Sequence, residues 1–164
     1  MDGRWISNRA EQLKQANIDT YLSRRHAEKW MGKNWAWPEV KLYEVDHKQS
    51  GMSNDPAKLY AKHSGAVALN IAYLSRPKEI YLYGFDHTGD PRAGEYSEHW
   101  YGQYEWRPKR TTFYHMNPWI EDHEIAARQF KAAGIQVFNV SHISKIKVYP
   151  KIDFNDVLKR VSTP

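Results

Sequence analysis

The most constraining feature of the sequence is a nearly uninterrupted apolar run, Ile80 to Phe85, which follows an alanine-rich helical pattern and a break at Arg76-Pro77. A strand with almost no polar residue is typical of the middle of a sheet that is covered on both faces. Strand patterns alternate with helix patterns along the rest of the chain, as in parallel sheets. The sequence therefore predicts an α/β fold, a three-layer domain with a mostly parallel sheet.

The other expected elements fit this alternation. Helices are predicted over Asn8 to Met31, from Ser64 to the Arg76-Pro77 break, from Asn117 to Gly134, and over Asp153 to Val161; strands are predicted over Val40 to Val45 and Ile135 to Val140. The apolar stripe of the second helix is expected at Val67, Ile71 and Leu74, and that of the third at Trp119, His123, Ala126, Phe130 and Ala133. Without repeats or linkers, residues 1–164 are predicted to form one domain.

Composition limits the function classes. The net charge of +5 favours anionic partners such as phosphates and nucleotides, but the basic residues are scattered, so nucleic acid is not the expected partner. The lack of cysteine excludes disulfides, zinc–thiolate sites and thiol catalysis, and it fits a cytoplasmic protein. No apolar run approaches the roughly 20 residues that span a bilayer, so no membrane span is expected.

Two polar features are expected at one edge of the predicted sheet. Asp86 and His87 follow an apolar strand, and Ser64-Gly65 begins a helix, with Ser64 as the predicted N-cap. Ligands of open α/β sheets bind outside the carboxyl ends of the strands, and helix N-termini attract phosphate. A ligand-binding rim is therefore predicted here. Each feature also has a plain interpretation, because Ser-Gly often precedes helices and Asp at a strand end often caps a turn.

Several familiar fingerprints are missing from the sequence. It contains no G-x-G-x-x-G, no G-x-x-x-x-G-K-[ST], no G-x-S-x-G and no H-E-x-x-H. This argues against a dinucleotide dehydrogenase, a P-loop ATPase and a serine hydrolase of familiar type.

A stretch of about thirty residues, His87 to Asn117, has no periodicity, and loops of this length are usually functional or disordered. Its aromatic residues argue for function. His99 is expected to contact a ligand or simply to pack within the loop. A sugar or base platform is predicted among Trp100, Tyr101, Tyr104 and Trp106. Phosphate neutralisation, or plain solubility, is expected of Arg107, Lys109 and Arg110.

The pattern Ser64-Gly-x-x-Ala68 … Pro77-x-x-Ile80-Tyr-Leu-x-Gly84-x-Asp86 resembles the core motif of the bacterial sialyltransferases of the lipooligosaccharide type. It is also similar to phage-encoded proteins of unknown function and to the archaeal pterin pyrophosphokinase-like family, which share that fold. The resemblance extends over about the whole chain, through Asp2-Gly-Arg-Trp5, Glu98-His-Trp-Tyr-Gly102, His115, the late helix and strand, and Ser141-His-Ile-Ser144 … Tyr149-Pro150.

The resemblance implies a three-layer Rossmann-like fold and a nucleotide-sugar-dependent, metal-independent glycosyltransferase-like protein. In the sialyltransferases the donor is a CMP-sugar and the general base is a histidine just before the late helix, which by position is His115. Catalytic roles are thus expected for His115 and Asp86. Contacts with the nucleotide-activated sugar, which is a substrate and not a cofactor, are expected from Ser64, Gly65, Gly84, His87, His99 and Trp100. A glycan is the expected acceptor.

The family's first strand and its nucleotide loop have no counterpart before Asp2. We therefore expect the chain to be either the C-terminal major part of a longer family domain or a naturally shortened relative.

Two other functions stay open. One is a non-catalytic nucleotide- or sugar-binding accessory protein. The other is a metal-dependent phosphoester enzyme, whose candidate ligands are Asp86, His87, Asp90, His99 and His115. His115 is otherwise an ordinary loop histidine. His123 lies on the apolar stripe of its helix and is predicted to be a core histidine.

Overall fold

The computed structural model describes residues 20–31, 40–87 and 117–162, together with Gln12 and Gln15. The chain divides into two compact units, Met1–Ser75 and Arg76–Pro164, and each has its own parallel strand pairing. The prediction of one domain over residues 1–164 stays a prediction.

The first unit contains a three-stranded parallel sheet. Its strands are β1 (Thr20–Ser23), β2 (Val40–Asp46) and β3 (Lys58–Tyr60), in the order β1-β2-β3. Among the elements that the structure describes in full, the helices α1 (Arg24–Met31) and α2 (Ser64–Leu74) accompany them. The predicted strand from Val40 is confirmed, whereas the three-residue β3 was not predicted.

The prediction of one helix over Asn8 to Met31 is wrong at Thr20–Ser23, which is a strand. This segment pairs in parallel with Val40–Tyr43 of β2. Thr20 is β-branched and Tyr21 is aromatic, so both suit a pleated surface, and the pairing with β2 outweighs the weak helical pattern. Most of the earlier part of this predicted helix, and the predicted break at Gly32 to Pro38, lie outside the described residues.

Helix α2 buries a different face from the one predicted. Its buried residues are Ala66, Leu69, Asn70 and Tyr73, whereas Val67, Ile71 and Leu74 are half-buried. The hydrogen bonds of Asn70 account for this. Its Oδ1 accepts from the backbone N–H groups of Ser53 at 3.0 Å and Tyr60 at 2.9 Å, and its Nδ2 donates to the Ser53 carbonyl. A buried amide with three hydrogen bonds therefore fixes the rotation of the helix against β3.

The second unit contains β4 (Glu79–Leu82) and β5 (Gln136–Asn139), which pair in parallel, and the helices α3 (Asn117–Ala132) and α4 (Phe154–Ser162). A bridge from Asn139 to Lys151 extends the pairing. The core of the unit is formed by Leu82, Ala126, Phe130, Ile135, Val137, Ile146, Tyr149 and Val157.

Helix α3 confirms the sequence prediction in most respects. His123, Ala126 and Phe130 of the predicted stripe are buried, and Trp119 and Ala133 are half-buried. Gly134 ends the helix with a φ of +73°. Its N–H donates to the Lys131 carbonyl at 3.1 Å, and the Ile135 N–H donates to the Phe130 carbonyl at 2.9 Å. These bonds form a Schellman motif, which requires the left-handed residue that glycine supplies.

Strand β4 is shorter than predicted. It ends at Leu82 and not at Phe85, and Tyr83 is 49% exposed. Gly84 has a φ of +70°, which takes the chain out of the strand. The prediction that the run Ile80 to Phe85 is covered on both faces is therefore wrong, because Tyr83 is exposed and Ile80 and Tyr81 are half-buried.

The described residues thus form a mixed helix and strand structure with short parallel strands in two small sheets. Within those residues, no helix combines the length and the apolar character needed to cross a membrane. The cytoplasmic location stays a prediction.

Candidate functional site

The carboxyl ends of β4 and β5 bring together the polar residues of the candidate site. Because the strands are parallel, the segments that follow them, from Tyr83 and from Val140, leave the same edge of the sheet. The Ser141 hydroxyl donates to the Asp86 carboxylate. The Lys145 N–H donates to the Asp86 carbonyl at 2.9 Å. Asp86 is therefore bound through both its side chain and its backbone.

A second serine holds the turn before Asp86. The Ser144 hydroxyl donates to the Phe85 carbonyl at 2.6 Å and accepts from the Ile146 N–H at 3.1 Å. Gly84 shapes the same turn through its positive φ, and a Cβ built on it would meet nothing within 4 Å. Its place in the candidate site is therefore explained by backbone conformation, and the predicted contact with a ligand stays a prediction.

His87 extends this edge with an aromatic environment. Its ring makes edge contacts with Trp119, at a centroid distance of 6.1 Å, and with His123, at 5.2 Å. Its φ of +49° is unusual for a residue with a side chain. Burial lowers the pKa of His87, and a hydrogen bond with the Phe85 backbone and the charge of Asp86 act against this shift. The imidazole is therefore favoured in its neutral form, which can accept a proton or bind a metal.

His123 lies beneath this group and is 2% exposed. Its Nδ1 lies 3.3 Å from the Tyr149 hydroxyl, which also donates to the His123 carbonyl. Burial, with a smaller contribution from Asp122, raises the pKa of Tyr149, so the hydroxyl stays protonated. The predicted burial of His123 in the core is confirmed.

The other half of the predicted rim is in the first unit. His63, and not Ser64, is the N-cap of α2; the backbone of His63 is extended, and its Nδ1 accepts from the Ala66 N–H at 3.4 Å. The prediction of Ser64 as N-cap is therefore wrong. Ser64 is the exposed first residue of the helix and Gly65 is half-buried. The common rim with Asp86 and His87 joins residues of different units and stays a prediction.

Many predicted site residues lie outside the described residues: Asp90, His99, Trp100, Tyr101, Tyr104, Trp106, Arg107, Lys109, Arg110 and His115. Their roles stay predictions.

Sequence patterns alone assign no role to the two serines that bind the Asp86 turn. Ser141 and Ser144 belong only to the pattern of the resemblance. A signal was available, because Ser141 follows β5 closely, much as Asp86 follows β4. Polar residues that follow neighbouring parallel strands are expected at one edge.

Comparison of the chain with protein-family models, with curated proteins and with solved structures finds no match.

Proposed function

We propose that this chain is a nucleotide-sugar-dependent, metal-independent transferase with a three-layer Rossmann-like fold. One observation carries the proposal furthest: a carboxylate, Asp86, and a histidine whose neutral form is favoured, His87, lie in the turn that follows a parallel strand. This is where α/β folds bind ligands. The resemblance at Ser64 to Asp86 supports the choice of donor.

The bonding of Asp86 favours a positioning role. Ser141 and Lys145 bind it from the segment after β5, so the carboxylate keeps a fixed position while a ligand enters. Fixed polar groups are the kind that stabilise developing charge without reorganising. We infer that this edge orients the sugar donor, with His87 as a hydrogen-bond acceptor for a hydroxyl group.

The helix start in the first unit has the chemistry of a phosphate site. In the first turn of α2, the N–H groups of Ser64 and Gly65 have no acceptor within the helix, and the positive end of the helix dipole favours an anion. The exposed Ser64 hydroxyl adds a donor.

The transfer step needs one base. The acceptor hydroxyl attacks the anomeric carbon, the bond from that carbon to the phosphate oxygen breaks, and the nucleotide leaves with the electron pair. The base takes the hydroxyl proton. By the resemblance we assign this role to His115, whose expected contribution is about 10²–10⁴-fold in rate.

The proposal is tested by incubating the chain with CMP-, UDP- and GDP-sugars and a glycan acceptor, and by measuring the released nucleotide by chromatography. We expect release above background in EDTA, and a large loss in Asp86→Asn. Lys48→Gln, an exposed change in the first unit, is the control. Release that is equal in wild type and Asp86→Asn contradicts the proposal. Nucleotide binding without release supports the non-catalytic accessory protein instead.

A metal-dependent phosphoester enzyme is the second candidate, and the pair of histidines favours it. One ring nitrogen of His87 and one of His123 lie within 4.8 Å of each other, a separation that a single transition metal can bridge. Neutral imidazoles are common metal ligands. Elemental analysis of the purified chain, with and without EDTA, separates the candidates: a stoichiometric metal that is lost in His87→Ala, together with activity that EDTA abolishes, favours this function over the transferase.

A further inference from the structure

The second unit carries a groove that the candidate site does not use. Its volume is about 1020 Å³, and it is lined by α3, β5 and residues 145–150. Buried apolar side chains form its floor, among them Phe130, Val137 and Ile146. We call it the basic groove, because its lining includes the exposed cations Arg128, Lys131, Lys145 and Lys147.

The charge of this lining is strongly one-sided. Among the residues that the structure describes, the lining has four cations and one acid, Glu124. The helix dipole accounts for Arg128 and Lys131, which lie towards the C-terminus of α3. It does not account for Lys145 and Lys147, which belong to a loop. Loop and helix therefore present the same charge beside one apolar floor.

The length of the groove suits a helix. Its lining on α3 runs from Ile120 to Lys131, which is roughly 16 Å at 1.5 Å per residue. Its volume lies at the upper limit of small-molecule pockets, which hold about 300–1,000 Å³. Amphipathic helices of about this length bind grooves through an apolar stripe.

We propose that the basic groove binds an acidic amphipathic helix of a partner protein. The apolar stripe of that helix lies on the floor, and carboxylates beside the stripe meet the four cations. Nucleic acid is the less favoured occupant, because its bases stack on open aromatic faces. Among the described residues that line the groove, the aromatic side chains of Phe130 and Tyr149 are buried, and Phe138 already packs against Tyr81 and Arg160.

The test uses three fluorescein-labelled helical peptides of 16 residues and the full chain. The first has a leucine stripe flanked by glutamates, the second has the same stripe flanked by lysines, and the third has the glutamates with serine in place of leucine. We expect anisotropy to show binding of the first peptide at micromolar concentration and at least tenfold weaker binding of the others. Raising the salt from 50 to 500 mM should weaken the first.

The variant Arg128→Glu/Lys131→Glu locates the binding. It should weaken the first peptide at least tenfold, whereas Lys29→Glu/Lys48→Glu, which changes the net charge equally in the first unit, should leave the affinity within twofold. Circular dichroism checks that both variants fold; if the first does not, Lys147→Glu replaces it. Equal binding of the three peptides, equal loss in both double variants, or tighter binding of a single-stranded oligonucleotide than of the first peptide overturns the proposal.

Discussion

The start of α2 at Ser64 and the end of β4 near Asp86 belong to one predicted rim, yet the structure builds them differently. Ser64 is exposed, and the cap of its helix comes from His63. Asp86 is held by Ser141 and Lys145. The first N–H groups of a helix have no acceptor within it, whereas the carboxylate and the carbonyl of Asp86 are already hydrogen-bonded. The first suits binding, and the second suits holding a group in place.

The largest expected effect concerns the general base of the reaction, which belongs to neither the helix start nor the strand end. His115→Ala should lower turnover by about 10²–10⁴-fold, because it removes the proton acceptor, and should leave nucleotide affinity unchanged. Steady-state kinetics and calorimetry measure the two quantities. The control is His142→Ala, since this imidazole is 68% exposed and sits beside Asp153. Full turnover in His115→Ala contradicts the assignment of the base.

The strand end should matter for stability, and the helix start should not. Asp86→Ala removes the acceptor of the Ser141 hydroxyl and should lower the free energy of unfolding by about 1–3 kcal/mol. Ser64→Ala changes an exposed residue that does not cap its helix, so we expect a change within about 0.5 kcal/mol. Urea denaturation measures both. Equal losses in the free energy of unfolding in Asp86→Ala and Ser64→Ala would contradict this difference between the strand end and the helix start.

The helix start should matter for nucleotide affinity, although it should not matter for stability. Ser64→Ala removes one hydrogen bond to the phosphate and should weaken nucleotide affinity by about 1 kcal/mol, or roughly fivefold. Ser75→Ala is the matched control, because Ser75 lies at the other end of the same helix and donates to the Ile71 carbonyl. Calorimetric titration compares them. An equal loss in the control would show that the effect comes from the helix and not from its start.

The smallest expected effect is a pH dependence that arises at the strand end. Burial lowers the pKa of His87, so the folded chain takes up this proton less readily than the unfolded chain. The free energy of unfolding should therefore fall as the pH drops below about 6.5, the ordinary histidine pKa. His87→Asn removes the titrating group, and asparagine tolerates the positive φ. Denaturation at pH 7.5 and 5.5 should show a smaller fall in the variant; an equal fall contradicts the role of burial.

Local patterns predicted the elements that local chemistry determines. Helix α3 begins at Asn117 and is terminated by Gly134, as predicted. Its bounds depend on a proline, on helix charges and on a left-handed glycine, all of which act within a few residues. The alternation of side chains over Val40 to Val45 predicted strand β2. By contrast, β1 has only four residues and depends on its pairing with β2, which no local pattern reveals.

For the same reason, the candidate site could be predicted only in part from the sequence. Asp86 and His87 could be identified from the apolar run before them. The Ser141 partner of Asp86 is 55 residues away in sequence, and only the pairing of β4 with β5 brings the two together. The error at the cap of α2 has another cause, since His63 and Ser64 are neighbouring polar residues and either can accept from the first turn.

The proposed nucleotide site is tested most directly by an NMR titration of the ¹⁵N-labelled chain with CMP, UMP, GMP, AMP and inorganic phosphate. We expect one nucleotide to shift the amides of Asp86 and His87, and those of Ser64 and Gly65, at far lower concentration than phosphate does. The contradicting result is that no nucleotide shifts these amides at millimolar concentration, or that phosphate alone reproduces the shifts.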